Sequence, residues 1–169
     1  MAVRRFRKAK ASPSDFMRAF LLRSQDTHVE GYFYHGTKKS NLLSIADGGL
    51  RPSDASRWKD IKRRKQVGVY VTREPAFAWV WAGGGPGWDG KALDLKGAVV
   101  LRIPEDFARG HCRVQADAMN REDSLVLRDC AIPPEVIDVC YATQDGQISE
   151  WVPLQALCEA YRKKFGAAR

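Results

Sequence analysis

The chain has 169 residues, of which 44% are hydrophobic, and its 28 lysines and arginines against 20 acidic residues give a net charge of +8. This length favours one domain that buries its own core. No apolar run approaches the roughly 20 residues of a membrane-spanning helix, which argues against a membrane protein. The basic balance is typical of proteins that bind nucleic acid or a phosphate-bearing ligand, and equally of a basic protein without such a partner.

The four cysteines predict no metal site. They form no C-x-x-C pair, and the three histidines do not complete a zinc-ligand spacing around them. No secretory signal is recognised at the N-terminus. We therefore expect a cytoplasmic protein with free, buried thiols. The cysteines are Cys112, Cys130, Cys140 and Cys158.

The N-terminal region predicts a basic arm followed by a helix. Residues 4–10 hold five cations and no acid, a pattern typical of an arm that contacts phosphates or of a solvated tail. Ser12 and Pro13 then predict a helix over residues 13–23, whose apolar side chains would pack on the body. Residues 24–30 are expected to be a linker. We divide the chain into an arm with its helix, 1–30, and a main domain, 31–169. The apolar helix positions are Phe16, Phe20 and Leu21.

The next segment predicts a strand that ends at a histidine. The aromatic residues 31–34 favour a strand, and His35 and Gly36 would follow in a tight turn before a short helix over 40–47. The pair Gly48 and Gly49 would stop that helix. Glycine lets the main chain approach a ligand closely, so this turn is suited to holding a polar small molecule. A strand, turn and helix with an incidental histidine is the alternative.

The remaining pattern predicts an α+β protein. A polar loop over 53–66, whose residues 57–65 carry six cations, precedes a β-branched strand at 67–72 and an apolar helix from Pro75 to Ala82. Strands outnumber helices and show no regular βαβ alternation, which favours mostly antiparallel sheets. Further strands are expected at 97–103, 124–127 and 136–142, and an amphipathic helix at 153–165. Residues 104–120 are expected to be mixed, with a short helix and a turn or strand.

Three short motifs together resemble the ADP-ribosyltransferase superfamily, in the branch of diphtheria toxin and poly-ADP-ribose polymerases. The first is residues 34–38 with 44–45 and 49–52. The second is residues 68–72, in which Tyr70 is followed eleven positions later by Trp81. The third is Asp123, an acid that opens a strand. The resemblance covers about residues 31–142 and implies two mostly antiparallel sheets around a central NAD cleft.

The resemblance also implies roles for individual residues. Backbone groups of Gly36 would bond the nicotinamide carboxamide, and His35, supported by Thr37, would bond the adenosine-side ribose. Tyr70 and Trp81 would sandwich the nicotinamide ring, although the family more often has Tyr at the second position. The alternative is that both rings are core aromatics. The expected NAD-binding residues are His35, Gly36, Thr37, Arg51, Tyr70 and Trp81.

The expected reaction needs an acid but no metal. Breaking the nicotinamide–ribose bond builds positive charge on the sugar, as in glycoside hydrolysis, and a carboxylate stabilises that charge. The resemblance favours Asp123 for this role, with Glu122 as the second choice. Adjacent strand residues point to opposite faces, so only one of the two would face the sugar. Alternatively, both cap a turn.

These expectations amount to an NAD-dependent mono-ADP-ribosyltransferase, of the kind found among bacterial and phage toxins or effectors. Its acceptor would be protein or nucleic acid, with the arm 4–10 and the loop 57–65 as contacts for the latter. Modification of a small molecule such as an antibiotic is open. A different class is an inactive relative that only binds nucleic acid. An RNA 2′-phosphotransferase ranks last, because its additional arginine and histidine motifs are missing upstream of His35.

Overall fold

The computed structural model describes residues 13–52, 67–83, 94–117 and 124–166. Within these ranges it contains five α-helices and seven strands, and no helix there is long and apolar enough to cross a membrane. The helices are α1 (Pro13–Gln25), α2 (Leu42–Gly48), α3 (Pro75–Ala82), α4 (Glu105–His111) and α5 (Leu154–Gly166). The strands are β1 (Tyr32–Lys38), β2 (Val69–Thr72), β3 (Ala98–Pro104), β4 (Arg113–Ala116), β5 (Ser124–Arg128), β6 (Asp138–Tyr141) and β7 (Val152–Pro153).

The strands form one antiparallel sheet in the order β4-β5-β2-β1-β3-β6-β7. The predicted α+β class with antiparallel pairing is therefore confirmed. Two sheets were expected, and the described residues form a single one. Strands β1 and β2 share the single residue pair Tyr34 and Thr72, whereas β1 and β3 pair along seven residues. We call the junction between β1 and β2 the seam.

Helices cover both faces of the sheet. On one face, Phe33, Leu101 and their neighbours form a core with residues of α2 and α5, such as Ile45 and Leu154. On the other face, Tyr34 and Val100 pack with α1 and α3. Alternation along each strand explains the division, because successive side chains point to opposite faces. The sheet centre is therefore buried on both sides.

The N-terminal helix packs on the body as the sequence predicted. Phe20 is buried and meets Trp79 edge to face, with ring centroids 5.1 Å apart, and Leu21 borders the same cluster. The side chain of Phe16 lies outside the described part of the chain. The predicted linker is held on the sheet by Tyr34, whose hydroxyl accepts a hydrogen bond from Val29 N–H and donates one to Val29 O. The division at residue 30 stays a prediction.

The first strand is longer than the sequence predicted. Residues 35 to 38 continue β1 instead of forming a tight turn, and the turn follows as a 3-10 helix, Lys39–Asn41. The physical reason is tertiary pairing: each of these residues has a partner on β3, as far as Lys38 opposite Ala98. That ladder outweighs the turn preference of Gly36. The end of α2 is as predicted, with Gly49 at φ 75°.

Two of the four cysteines contradict the expectation of free thiols. Cys112 and Cys130 form a disulfide, with Cα atoms 5.1 Å apart. The β4–β5 pairing explains this, because it brings the residue before β4 close to the residues after β5. A separation of 18 residues in the sequence carries no sign of that proximity. Cys140 and Cys158 are buried free thiols, as expected.

Candidate active site

Gly36 directs its main-chain groups into the seam between β1 and β2. Lys39 N–H donates to Gly97 O (2.9 Å) and Glu105 N–H to Gly31 O (2.8 Å). In an antiparallel ladder these two bonds mean that the odd-numbered residues of β1 exchange main-chain hydrogen bonds with β3. The main-chain N–H and C=O groups of the even-numbered residues point away from β3, toward β2. Gly36 therefore presents its N–H and C=O on the β2 side, two residues beyond the Tyr34–Thr72 pair.

His35 bridges the seam where the ladder stops. Its Nδ1–H donates to the main-chain carbonyl of Tyr70 at 2.7 Å. Continuing the Tyr34–Thr72 register would place Tyr70 opposite Gly36, so the imidazole bonds the carbonyl that the next ladder bond would use. Because a carbonyl only accepts, the proton is on Nδ1, and Nε2 of the neutral ring is an acceptor. Within the described residues Nε2 has no hydrogen-bond partner.

The electrostatics of His35 favour the neutral ring. Burial lowers its pKa below the ordinary value of 6.5, since desolvation disfavours the charged imidazolium, and the bond to Tyr70 only partly opposes this. Thr37 lies two residues along on the same face, and its Oγ1 accepts from Asn41 Nδ2 at 3.0 Å. A neutral acceptor nitrogen therefore stands beside a fixed hydroxyl.

The backbone of α3 lies directly behind Gly36. A Cβ at this position would be 1.9 Å from the Ala78 carbonyl oxygen and 2.9 Å from Ala82 N. Both contacts are with main-chain atoms, so no side-chain rotation relieves them. The close approach of helix and strand thus requires glycine at residue 36.

Tyr70 lies on the α3 side of the sheet. Its neighbours Val69 and Val71 enter the core of the opposite face, so alternation turns Tyr70 the other way. The ring is partly buried. Burial raises the pKa of its hydroxyl, the negative charge of Asp117 raises it further, and the positive charge of Arg128 lowers it. Both charges are therefore within electrostatic range of the Tyr70 hydroxyl.

The two tryptophans of α3 differ in exposure. Trp79 is fully buried and packs in the core, whereas Trp81 is 40% exposed. Trp81 is therefore not the core aromatic that the alternative interpretation required. Tyr70 and Trp81 are on the same side of the sheet, as the predicted sandwich needs, and their stacking on a nicotinamide ring stays a prediction.

Other predicted residues lie away from the seam or outside the described residues. Arg51 is exposed after α2, and its Nε donates to Gly48 O at 3.0 Å. Its neighbour Leu50 belongs to the core on the α2 side. The strand expected after Asp123 is confirmed, since β5 begins at Ser124. Glu122, Asp123, the arm 4–10 and the loop 57–65 lie outside the described residues.

Sequence reasoning missed a buried carboxylate, Asp117, which follows β4. It is 7% exposed, and its N–H donates to Ser124 O at 3.0 Å. The signal was present in the alternation of polar residues at Arg113, Gln115 and Asp117. That period of two predicts a strand with one polar face, in a region that was treated as mixed.

A scan of the chain against protein-family models found no match, and a search among curated proteins found none either. Any assignment of function to this site therefore depends on the motifs and on the geometry around His35, Gly36 and Tyr70.

Proposed function

We propose that this protein is an NAD-dependent mono-ADP-ribosyltransferase. It would cleave the bond between nicotinamide and ribose and transfer ADP-ribose to a protein or nucleic-acid acceptor. The observation that carries the proposal is the 2.7 Å bond from His35 Nδ1 to Tyr70 O, at the point where β1 and β2 separate beside Gly36. Two of the motifs that resemble the ADP-ribosyltransferase superfamily supply these residues: the first contains His35 and Gly36, and the second contains Tyr70.

The seam is suited to the nicotinamide half of NAD. A carboxamide has one acceptor and a donor pair, which complement the N–H and C=O of Gly36. These main-chain groups would be reached from the β2 side, since α3 occupies the space where a Cβ of Gly36 would stand. His35 Nε2 would accept a hydrogen bond from a ribose hydroxyl. Tyr70 supplies an aromatic face, and a cationic pyridinium ring is attracted to such a face.

The reaction is a displacement at the ribose C1′ atom. The bond from C1′ to the nicotinamide nitrogen breaks with both electrons going to the ring, so nicotinamide leaves as a neutral molecule. A lone pair of the acceptor forms the new bond to C1′, and the acceptor's proton passes through a carboxylate to water. Asp123 is the residue proposed for this carboxylate, with Glu122 as the alternative. Either one would also stabilise positive charge on the sugar.

The net charge of +8 favours an anionic acceptor such as RNA or DNA over a neutral one. A protein acceptor fits the same chemistry. The rival function is a catalytically inactive relative that binds nucleic acid. Its binding would be steeply salt-dependent and indifferent to Asp123→Ala.

The test is to incubate the protein with NAD labelled in the adenylate half and with separate pools of cell protein, RNA and DNA. Nicotinamide release is followed in parallel by chromatography. We expect label in one pool and matching nicotinamide. His35→Ala and Tyr70→Ala should weaken NAD binding, Asp123→Ala should mainly slow turnover, and the exposed His111→Ala serves as a control. No label in any pool and no nicotinamide would overturn the proposal.

A further inference from the structure

The face of the sheet that carries Tyr70 continues across β5 to the end of β4, and polar side chains lie on it there. Thr72 lies opposite Ser124, and Asp117 bonds to Ser124 through its N–H at 3.0 Å. Directly opposed residues in antiparallel strands point to the same face. Thr72, Ser124 and Asp117 therefore form a row across three strands, on the same face as Tyr70.

This row is buried although it is polar. Thr72, Asp117 and Ser124 are 3%, 7% and 8% exposed. A carboxylate is rarely buried unless it is paired, because removal from water disfavours its charge. Asp117 is close enough to Tyr70 for its negative charge to raise the pKa of the tyrosine hydroxyl. The positive charge of Arg128 acts on the same hydroxyl in the opposite direction and less strongly than that of Asp117.

We propose that Asp117 makes the nicotinamide pocket selective for charge, so that it prefers the cationic ring of NAD to a neutral ring. The assignment rests on the proposed function, since it takes Tyr70 as the surface on which the ring lies. Asp117 would be a specificity-determining residue that acts through space and does not take part in bond breaking.

The charge of the nicotinamide ring changes during the reaction, and this explains how the preference would act. The nicotinamide ring is positively charged in the substrate and neutral once the bond to ribose is broken. A buried carboxylate near the ring therefore attracts the substrate and has little effect on the departing product. For two unit charges about 8 Å apart at an effective dielectric constant near 20, the attraction corresponds to roughly a tenfold or greater preference for the cation.

The experiment measures binding by calorimetry, with NAD and NADH as a cationic and neutral pair. For the wild-type protein we expect tighter binding of NAD. Asp117→Asn should weaken NAD binding roughly tenfold and leave NADH binding within about twofold. Glu159→Gln, which removes an exposed acid on α5, is the matched control and should change neither.

Each outcome has a separate meaning. Equal weakening of NAD and NADH in Asp117→Asn would mean a structural role and would overturn the inference, as would no change in either. If the wild-type protein binds neither dinucleotide, the proposed function fails together with the inference. If Asp117→Asn does not fold, the wild-type protein decides: 1-methylnicotinamide, a cation, should bind about tenfold more tightly than neutral nicotinamide. Equal affinities would overturn the inference.

Discussion

A single imidazole links the two strands that border the candidate site. His35 does what a ladder bond would otherwise do, and it leaves the main chain of Gly36 directed at the seam. The arrangement requires a neutral ring whose Nδ1 donates, and burial favours that state. A histidine at position 35 therefore has two roles: Nδ1–H donates to Tyr70 O, and Nε2 is an acceptor toward a ligand.

The lowered pKa of His35 predicts a pH dependence of stability. Above pH 6.5 the imidazole is neutral in the folded and unfolded chains, and its contribution is complete. As the pH falls below 6.5, the unfolded chain takes up the proton first, so stability is lost until the pH passes through the lower folded pKa. The wild-type melting temperature should therefore fall more than that of His35→Gln between pH 7.5 and pH 5.5. Parallel declines would contradict this.

Gly36 is a residue whose substitution tests the packing of α3. Gly36→Ala should lower the free energy of unfolding by about 3 kcal/mol or more, because its Cβ would collide with the Ala78 carbonyl. Gly110→Ala is the matched control, since nothing lies within 4 Å of its Cβ. In helix α4 it should be stabilising by about 0.5–1 kcal/mol. Chemical denaturation measures both, and similar effects of the two variants would refute the close approach.

At the scale of elements, the sequence predicts those helices and strands whose signal is local. It does not predict the bounds of strands that depend on pairing with a distant strand. Helix α3 and strand β5 were predicted from local pattern, because Pro75 opens one and a short apolar run marks the other. Strand β1 was predicted too short, since its extension past Gly36 depends on β3, which lies about sixty residues away. The bounds of strand β4 were not predicted within the mixed region 104–120, because its pairing with β5 is invisible locally.

The disulfide at the base of the β4–β5 hairpin predicts a redox dependence of stability. It sits beside Arg113 and Arg128, two like charges directly opposite each other, a pair that weakens the hairpin. Reduction should cost about 3 kcal/mol, given a separation of 18 residues. The melting temperature of the wild-type protein should fall on treatment with a phosphine reductant, whereas that of Cys112→Ser/Cys130→Ser should not change.

Thiol titration in denaturant provides the control for that measurement. It should count two thiols in the untreated chain and four after reduction, since Cys140 and Cys158 are free. Full reduction without any loss in melting temperature would contradict the stabilising role of the bond.

At the scale of the molecule, the site lies where the sheet is least continuous. In the described residues helices cover both faces of the sheet, and main-chain groups inside the sheet become accessible to a ligand where β1 and β2 part after their single residue pair. The sequence predicted His35, Gly36 and Tyr70 as neighbours because motifs of known order carried them. It did not predict Asp117, because the row that joins Asp117 to Ser124 and Thr72 exists only once three strands are in register.

The central claim is that NAD binds in the seam between β1 and β2, and the most direct measurement is an NMR titration of the protein with NAD. We predict that the amide signal of Gly36 and the ring signals of His35 and Tyr70 shift in proportion to the ligand bound. The amide of Gly110 and the ring of His111, both on α4, should stay in place. Bound NAD that leaves the signals of Gly36, His35 and Tyr70 unmoved would contradict the account.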